Sequence, residues 1–314
     1  MLKLFKTKLM MDIVKNFKRN KTAFMASILR RLSFMFKDDE LYLKLLYLFE
    51  MHKKLDLNNP TTFNEKLQWL KLYNRRPEYT RMVDKYEAKK YAASLVGEEH
   101  IIPTLGVWDR FEDINFETLP NQFVLKTTNG GGNLGVIICK DKAHLDKEHA
   151  RNVLNKSLKS NIYETFREWP YRNVKPRILA EKYVVDESGE LRDYKFTCTD
   201  GTAHNVMLCM ERNSGDTKFY FFDRGWNLLR INKRGKDAPE GFTVPKPQNV
   251  EHMFDIAAKL SQGLPYARVD LYNVNGTIYF GEITFYPQSG LDPNLLPETD
   301  LHFGQLIKLP SKHT

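Results

Sequence analysis

Four polar residues near the C-terminus have the types and spacing of a magnesium and phosphate site. Arg268 and Asp270 alternate with apolar residues, and so do Glu282 and Thr284 shortly afterwards. Because successive side chains of a strand point to opposite faces, each pair should project from one face of its strand. If residues 274–276 form a three-residue loop, Arg268 lies opposite Glu282 and all four groups share one surface. Such a set suits Mg²⁺, which is commonly held by one or two carboxylates plus substrate phosphates. An ordinary surface hairpin with a cross-strand ion pair is the alternative.

A glycine-rich segment has the composition of a flap over a phosphate group. Lys126 ends an apolar run, the sequence TTNGGGNLG follows as far as Gly135, and a β-branched run begins at Val136. Glycines let backbone N–H groups approach an anion, and the lysine adds a point charge. A dinucleotide fingerprint needs a helix after the glycines and a P-loop needs GK[ST], and this segment has neither. We therefore expect the glycines to join two strands, with a long flexible hairpin loop as the alternative.

The elements that would position these groups are helical at first and mixed later. A helix is predicted over residues 38–54, another begins at Thr62 with a capping box to Glu65, and a third covers residues 79–95. Strands are then predicted at residues 123–126, 136–139, 178–185, 193–198, 204–210 and 218–222, and helices at 142–158 and 250–260. This mixture predicts an α+β fold.

Composition indicates a folded protein of a reducing compartment. The chain has 314 residues, of which 42% are apolar, enough for two or three packed lobes. Its three cysteines show neither a disulfide framework nor a zinc spacing. No stretch approaches the roughly 18 to 20 apolar residues that span a bilayer, and the N-terminus lacks the apolar core of a secretory signal. We expect the protein to be cytoplasmic.

The positive charge is concentrated at the N-terminus. Residues 1–37 contain ten lysines or arginines and a single acid, Asp12, and this excess equals the net charge of +9 for the whole chain. Apolar residues from Leu2 to Phe17 recur at helical spacing, with lysines largely between them, which predicts a basic amphipathic helix. Such a helix can lie on an anionic membrane surface at the inner face of the membrane. Packing on the body of the protein is the alternative, and nucleic acid is not an expected partner.

Taken together, these segments resemble the ATP-grasp superfamily and, more narrowly, its teichuronopeptide-biosynthesis (TupA-like) branch. The resemblance runs from about residue 57 to residue 295. It is carried by NPTTFNEK at residues 59–66, DKY at 84–86, the segment 123–135, AEKY at 180–183, RDYK at 192–195 and the final pair of strands. It implies an ATP-grasp fold, in which two α+β lobes clasp ATP, preceded here by a helical extension.

The resemblance assigns roles to particular residues. Lys85 and Lys126 would contact the ATP phosphates, the loop of Asn129, Gly130, Gly131, Gly132 and Gly135 would close over them, and Lys195 would be a further phosphate contact. Glu181, Lys182, Tyr183 and Val184 match the hinge where adenine pairs with backbone groups, and Glu187 would hold the ribose. Asp270 and Glu282 match the Mg²⁺ ligands, and Arg268 matches the arginine at the reacting phosphoryl group. Thr284 takes the third ligand place, where many members have Asn.

The resemblance also implies a domain organisation and a reaction. Residues 1–56 would form the basic extension, 57–120 a mostly helical domain, 121–184 the small lobe with the flap, and 185–314 the C-terminal lobe with the metal site. The reaction would be ATP- and Mg²⁺-dependent joining of a carboxylate to an amine through an acyl phosphate. The carboxylate would belong to a sugar acid or glycan of a bacterial cell-surface polysaccharide, and the amine to an amino acid or amino sugar.

Three other functions remain open. GxGxxG between strands is shared with kinases, but the chain contains neither an H-R-D loop nor D-F-G, and an ATP-grasp enzyme that phosphorylates a sugar hydroxyl is the nearer variant. A glycosyltransferase is suggested by the polysaccharide association, although no DxD motif is found. A non-enzymatic membrane-bound scaffold is the third. Candidates for the substrate pocket, none of them assigned, are Arg172, Arg177, Arg212 and Arg224.

Overall fold

The computed structural model describes residues 21–132, 134–186, 191–210 and 217–312. Its helices are α1 (Lys21–Arg31), α2 (Asp39–Met51), α3 (Phe63–Tyr73), α4 (Tyr79–Val83), α5 (Glu87–Val96), α6 (Lys147–Leu158), α7 (Ile162–Phe166), α8 (Lys233–Asp237), α9 (Val250–Leu260) and α10 (Pro297–Leu306). Its strands are β1 (Thr104–Trp108), β2 (Phe123–Thr127), β3 (Val136–Cys139), β4 (Ile178–Lys182), β5 (Asp193–Thr199), β6 (Thr202–Met210), β7 (Lys218–Phe222), β8 (Leu228–Leu229), β9 (Ala267–Val274) and β10 (Thr277–Thr284).

A four-stranded sheet forms the smaller lobe. Its order is β1-β4-β2-β3, and every neighbouring pair is antiparallel. Alternate residues of β2, Phe123 and Leu125, are buried against α6, where Ala150 and Leu154 face the sheet. The strand β1 precedes residue 121, so this sheet reaches into the range assigned above to the helical domain.

A six-stranded antiparallel sheet forms the larger lobe, in the order β10-β9-β5-β6-β7-β8. One face packs on α9, whose Phe254 meets Phe196 of β5 edge to face at 4.9 Å. The same apolar core continues without interruption into α2 and α3, through fully buried Leu46 and Leu67. The N-terminal helices are therefore packed on the larger lobe, and the opposite face of its central strands is left to polar side chains.

The helix predicted over residues 79–95 is in fact two helices. The chain is extended at Asp84, with φ −66° and ψ 115°, and α5 begins three residues later. The Asp84 carboxylate accepts hydrogen bonds from the N–H groups of Tyr86 and Glu87 and pairs with Arg177 at 3.0 Å. The prediction of one continuous helix is wrong because helical periodicity continues across a break that these contacts stabilise. The break places Lys85 between the two lobes.

The hairpin register suggested from the sequence is also wrong. The turn contains two residues, Asn275 and Gly276, both with positive φ, so Val274 lies opposite Thr277. If β10 were regular, this register would place Asp270 and Glu282 on opposite faces of the sheet. A bulge at Gly281 adds one residue to β10, so Asp270 lies opposite Glu282 and the faces match again.

Within the described residues, no helix is both long and apolar enough to cross a bilayer. The amphipathic part of the N-terminal arm, before residue 21, lies outside the described residues. From Lys21 onward the arm continues as α1, whose Ala26 and Leu29 are buried.

Candidate nucleotide and metal site

The polar residues of the last hairpin form one connected cluster. Arg268 donates hydrogen bonds to both oxygens of Asp270, at 2.7 and 2.8 Å, and to Glu282 at 3.2 Å. Its Nη2 also donates to the Thr284 hydroxyl at 3.1 Å. Side-chain exposure is only 2% for Asp270 and 33% for Glu282, so the cluster is buried at one end and open at the other.

The neighbouring strand β5 contributes a second cation to this cluster. Lys195 lies directly opposite Asp270 in the sheet, and its ammonium group pairs closely with that carboxylate. Its other partner is Asp193 at 3.1 Å. Period-two alternation brings Asp193 and Lys195 to the face that carries Arg268 and Asp270, as the sequence spacing requires.

Lys85 connects the cluster to the smaller lobe. Its ammonium group lies 3.3 Å from Glu282, while its backbone N–H donates to the carbonyl of Thr128, just after β2. Burial alone would raise the pKa of Glu282, but Lys85, Arg268 and Lys195 outweigh it and hold that pKa well below its usual range. Glu282 therefore stays ionised at neutral pH, as a metal ligand or a partner of cations must.

A second charge cluster lies in the smaller lobe. Lys126 and Lys89 pair with different oxygens of Glu181, at 2.6 and 2.5 Å, and the side chains of Glu181 and Lys89 are each 8% exposed. Burial opposes ionisation of Glu181, but the two ammonium groups outweigh it and lower its pKa to about 2. Lys89 was missed from the sequence. Its position one turn after the Lys85 motif, on the inner face of α5, was the available signal.

The glycine-rich segment joins β2 to β3, as predicted. Thr127 N–H donates to the Gly135 carbonyl at 3.0 Å, which closes the loop at its base. Gly135 has φ +69°, and a Cβ there would lie 2.4 Å from the Ser157 hydroxyl, so only glycine fits. The Asn129 side chain contacts the end of α6 rather than other residues of the loop. Its amide donates to the carbonyls of Ser157 and Ser160 at 3.1 and 2.9 Å, and so ties the loop base to the end of α6.

The residues predicted to form the adenine hinge lie at the end of β4, an inner strand of the small-lobe sheet. Glu181 and Lys182 are the last residues of β4, and Tyr183 and Val184 follow in half-buried, irregular backbone. The Lys182 N–H donates a hydrogen bond to the Pro103 carbonyl at 3.0 Å. The predicted ribose contact, Glu187, lies outside the described residues.

The comparison with protein families decides the identity of this arrangement. The TupA-like ATP-grasp family matches residues 65–308, which is most of the chain. The chain belongs to the TupA-like ATP-grasp family. The ATP-grasp fold, predicted from the sequence, is thereby confirmed, and the family name identifies ATP as the nucleotide.

Solved structures similar to this TupA-like protein include ligases. The D-alanine–D-alanine ligase of Helicobacter pylori is 16% identical over 82% of this chain and 69% of that chain, with a TM-score of 0.43. The Bacillus anthracis enzyme in complex with ATP is 16% identical over 78% and 65%, with a TM-score of 0.41. D-cycloserine synthetase DcsG is 16% identical over 73% and 70%, with a TM-score of 0.42. No curated protein matches the sequence.

The donor set of this TupA-like protein fits magnesium. Asp270 and Glu282 are cross-strand partners, and the Thr284 hydroxyl lies 3.3 Å from a Glu282 oxygen, so three hard oxygen donors converge. Both carboxylates already hold cationic side chains, which shows that this point in the site favours positive charge. The adjacent ammonium and guanidinium groups are of the type that binds phosphate.

Proposed function

We propose that this ATP-grasp ligase activates the carboxylate of a sugar acid as an acyl phosphate and transfers it to an amine, during synthesis of a bacterial cell-surface polysaccharide. The observation that carries the proposal is the cluster of Arg268, Asp270 and Glu282 on the larger lobe, which Lys85 connects to the smaller lobe. The sugar-acid substrate is what the resemblance to the teichuronopeptide-biosynthesis branch implies.

The cations of the site are proposed to bind the triphosphate. Lys85 and Lys126 would hold phosphate oxygens, Lys195 would add a further contact, and the loop from Asn129 to Gly135 would cover them. Arg268 would stabilise the charge that develops on the transferred phosphoryl group. The present ion pairs, such as Lys85 with Glu282, would be exchanged for lysine–phosphate contacts when the nucleotide enters.

Asp270 and Glu282, with Thr284 beside them, are the proposed magnesium ligands. When bound there, Mg²⁺ would neutralise the phosphate oxygens and polarise the γ-phosphoryl group. Arg268 lies beside these residues and would contact the same phosphoryl oxygens. The backbone from Glu181 to Val184 is proposed to pair with adenine, and Glu187 with the ribose.

The reaction proceeds in two displacements. A carboxylate oxygen of the sugar acid attacks the γ-phosphorus, the bond to the β-phosphate oxygen breaks, and ADP leaves. The amine nitrogen then attacks the carbonyl carbon, the carbon–oxygen bond to phosphate breaks, and the amine gives up a proton to the departing phosphate or solvent. Positioning and electrostatics supply most of the acceleration, so no nucleophilic Ser or Cys is needed.

The test is phosphate release from MgATP with pairs of substrates. Uronic acids such as D-glucuronic acid would be combined with amino acids or amino sugars, and the products analysed by mass spectrometry. We expect ADP, phosphate and an amide in equal amounts, and no amide with Asp270→Asn. ADP with a phosphorylated sugar and no amide would instead identify a hydroxyl kinase and contradict the proposal.

An anionic membrane surface is the proposed partner of residues 1–37, which would place the enzyme at the cytoplasmic face of the inner membrane. In the short turn after α1, Phe34 and Met35 are 74% and 65% exposed, and Arg31 and Lys37 beside them are also exposed. Apolar side chains flanked by basic ones suit a bilayer with anionic headgroups. Co-sedimentation with phosphatidylglycerol vesicles, but not phosphatidylcholine vesicles, is expected, and Phe34→Ser with Met35→Ser should weaken it. Equal sedimentation of the double variant would exclude this surface.

A further inference from the structure

A cavity opens beside the reacting end of the site. Its volume is about 150 Å³, and its inner wall contains Arg268 and Lys195. This is many times the roughly 10–15 Å³ that a single water needs, so the cavity can admit a small organic acid. Of the four arginines named from the sequence, the three that lie within the described residues do not line it. Arg177 pairs with Asp84 and Arg224 with Glu251 and Asp255, Arg172 stacks on Tyr163, and Arg212 lies outside the described residues.

The walls of the cavity combine aromatic rings with planar polar groups. The rings belong to Phe63, Phe219, Phe221, Tyr266 and Phe303. On the other side lie Gln288 and Asp292. Among the described residues, the Gln288 amide has no hydrogen-bond partner and is exposed toward solvent. Flat apolar surfaces beside amide and carboxylate groups suit a ring that carries hydroxyl groups on its edge and C–H groups on its faces.

The polar wall is built on a strained loop. Shortly after β10, Gln288, Ser289 and Gly290 have φ of +48°, +55° and +60°, three left-handed residues in succession. Two of them are not glycine, and for such residues the left-handed conformation is energetically unfavourable. Strain of this kind persists only where the surroundings hold it, and it is typical of binding sites.

One polar face of α3 holds this loop. Asn64, Gln68 and Lys71 are spaced as one face of a helix, and each is 0% exposed. Gln68 donates to the carbonyls of Ser289 and Gly290 at 3.0 and 2.7 Å, and Lys71 donates to Ser289 at 2.7 Å.

The same helical face also fixes the residue at the end of the loop. The Asn64 side-chain oxygen accepts a hydrogen bond from the Asp292 N–H at 2.9 Å. Burying three polar side chains is costly unless they are bonded, and the loop supplies many of their partners.

We infer that this cavity is the sugar-acid pocket, that Gln288 and Asp292 determine its specificity, and that Asn64, Gln68 and Lys71 are positioning residues that hold the strained loop in its binding conformation. The inference rests on the proposed function, since the acid must reach Arg268. It also gives a role to the NPTTFNEK segment, whose last residues begin α3 and which the nucleotide site does not use.

The test measures two affinities on each variant by isothermal titration calorimetry. One titrant is a non-hydrolysable ATP analogue with Mg²⁺, and the other is D-glucuronic acid, added to the nucleotide-loaded protein. Gln68→Met removes the amide that holds the loop without changing charge, and Gln288→Ala removes a pocket contact. Lys66→Met is the matched control, because Lys66 on the same helix donates to the Ile307 carbonyl, at 2.9 Å, rather than to the loop.

We expect Gln68→Met and Gln288→Ala to weaken D-glucuronic acid binding about tenfold or more, which is about 1.4 kcal/mol, while nucleotide affinity stays within about twofold. Lys66→Met should bind both ligands as the wild type does. Equal weakening of both ligands in Gln68→Met, or none of D-glucuronic acid, would overturn the positioning role. Wild-type protein that binds the nucleotide but not D-glucuronic acid would overturn the pocket assignment. Failure to bind the nucleotide would instead overturn the proposed function.

Discussion

Single residues in this site are held by charge partners that the sequence does not reveal. Lys126 was predicted to contact phosphate, and it also forms, with Lys89, a buried group around Glu181. Such a group is stable only while the acid is ionised, because neutral Glu181 would leave two ammonium groups without a counter-charge. Glu181 therefore connects β4 to Lys126, the proposed phosphate contact.

This group should make stability depend on pH. The pKa of Glu181 is about 2 in the folded protein and 4.5 as its reference value, so its contribution is complete above pH 4.5 and is lost as the pH falls toward 2. The shift corresponds to roughly 3 kcal/mol. Urea denaturation from pH 6 to pH 3 should show a steeper loss of stability for wild type than for Glu181→Gln. Parallel curves would show that the carboxylate is not stabilised in this way.

At the scale of elements, the bulge at Gly281 decides whether the proposed metal ligands, Asp270 and Glu282, face each other. A Cβ at this position would lie 2.9 Å from the Asp270 carbonyl and 3.1 Å from the Tyr272 ring, so the close approach of β9 and β10 depends on its absence. Loss of the bulge would turn Glu282 and Thr284 away from Asp270.

Gly281→Ala should therefore lower the free energy of unfolding by about 1–3 kcal/mol and also weaken Mg²⁺-dependent nucleotide binding. Gly276→Ala is the control in the same hairpin, because it strains the turn, with φ +87°, but meets no atom within 4 Å. It should cost about 1 kcal/mol of stability and leave nucleotide affinity unchanged. Denaturation and calorimetry on the two variants compare these effects. Equal nucleotide affinities of the two variants would show that the bulge does not determine the geometry of the site.

Local patterns predicted most of the elements but not their interruptions. The capping box of Thr62 and Glu65 is present, and the runs 123–126 and 136–139 are paired strands. These features depend on neighbours in the sequence. The break at Asp84 depends on Arg177, and the buried face of α3 depends on a loop more than 200 residues away. From the sequence, α3 shows only its apolar residues as candidates for burial.

The site residues, too, were predicted where local spacing determines their position and missed where distant contacts do. Alternation placed Arg268, Asp270, Glu282 and Thr284 on one surface, and the structure brings them together although the register differs. Gln288 and Asp292 were missed because no spacing rule connects them to the hairpin, whereas Lys89 was missed although its position one turn after Lys85 was a signal.

In the whole molecule, the two sheets meet across Lys85, which contacts Thr128 of the small lobe and Glu282 of the large lobe. Lys126 lies on the small-lobe side of this junction, and the cluster of Arg268, Lys195, Asp270 and Glu282 lies on the large-lobe side. The central claim is that one Mg-nucleotide is bound by both lobes at once.

Calorimetric titration of a non-hydrolysable ATP analogue with Mg²⁺ into wild type, Lys126→Ala and Asp270→Asn tests that claim most directly. Each substitution removes a charged contact worth about 1.5–3 kcal/mol, so both variants should bind at least roughly tenfold more weakly than wild type. Wild-type affinity in either variant, with the fold intact by circular dichroism, would show that one lobe binds the nucleotide alone and would contradict the account.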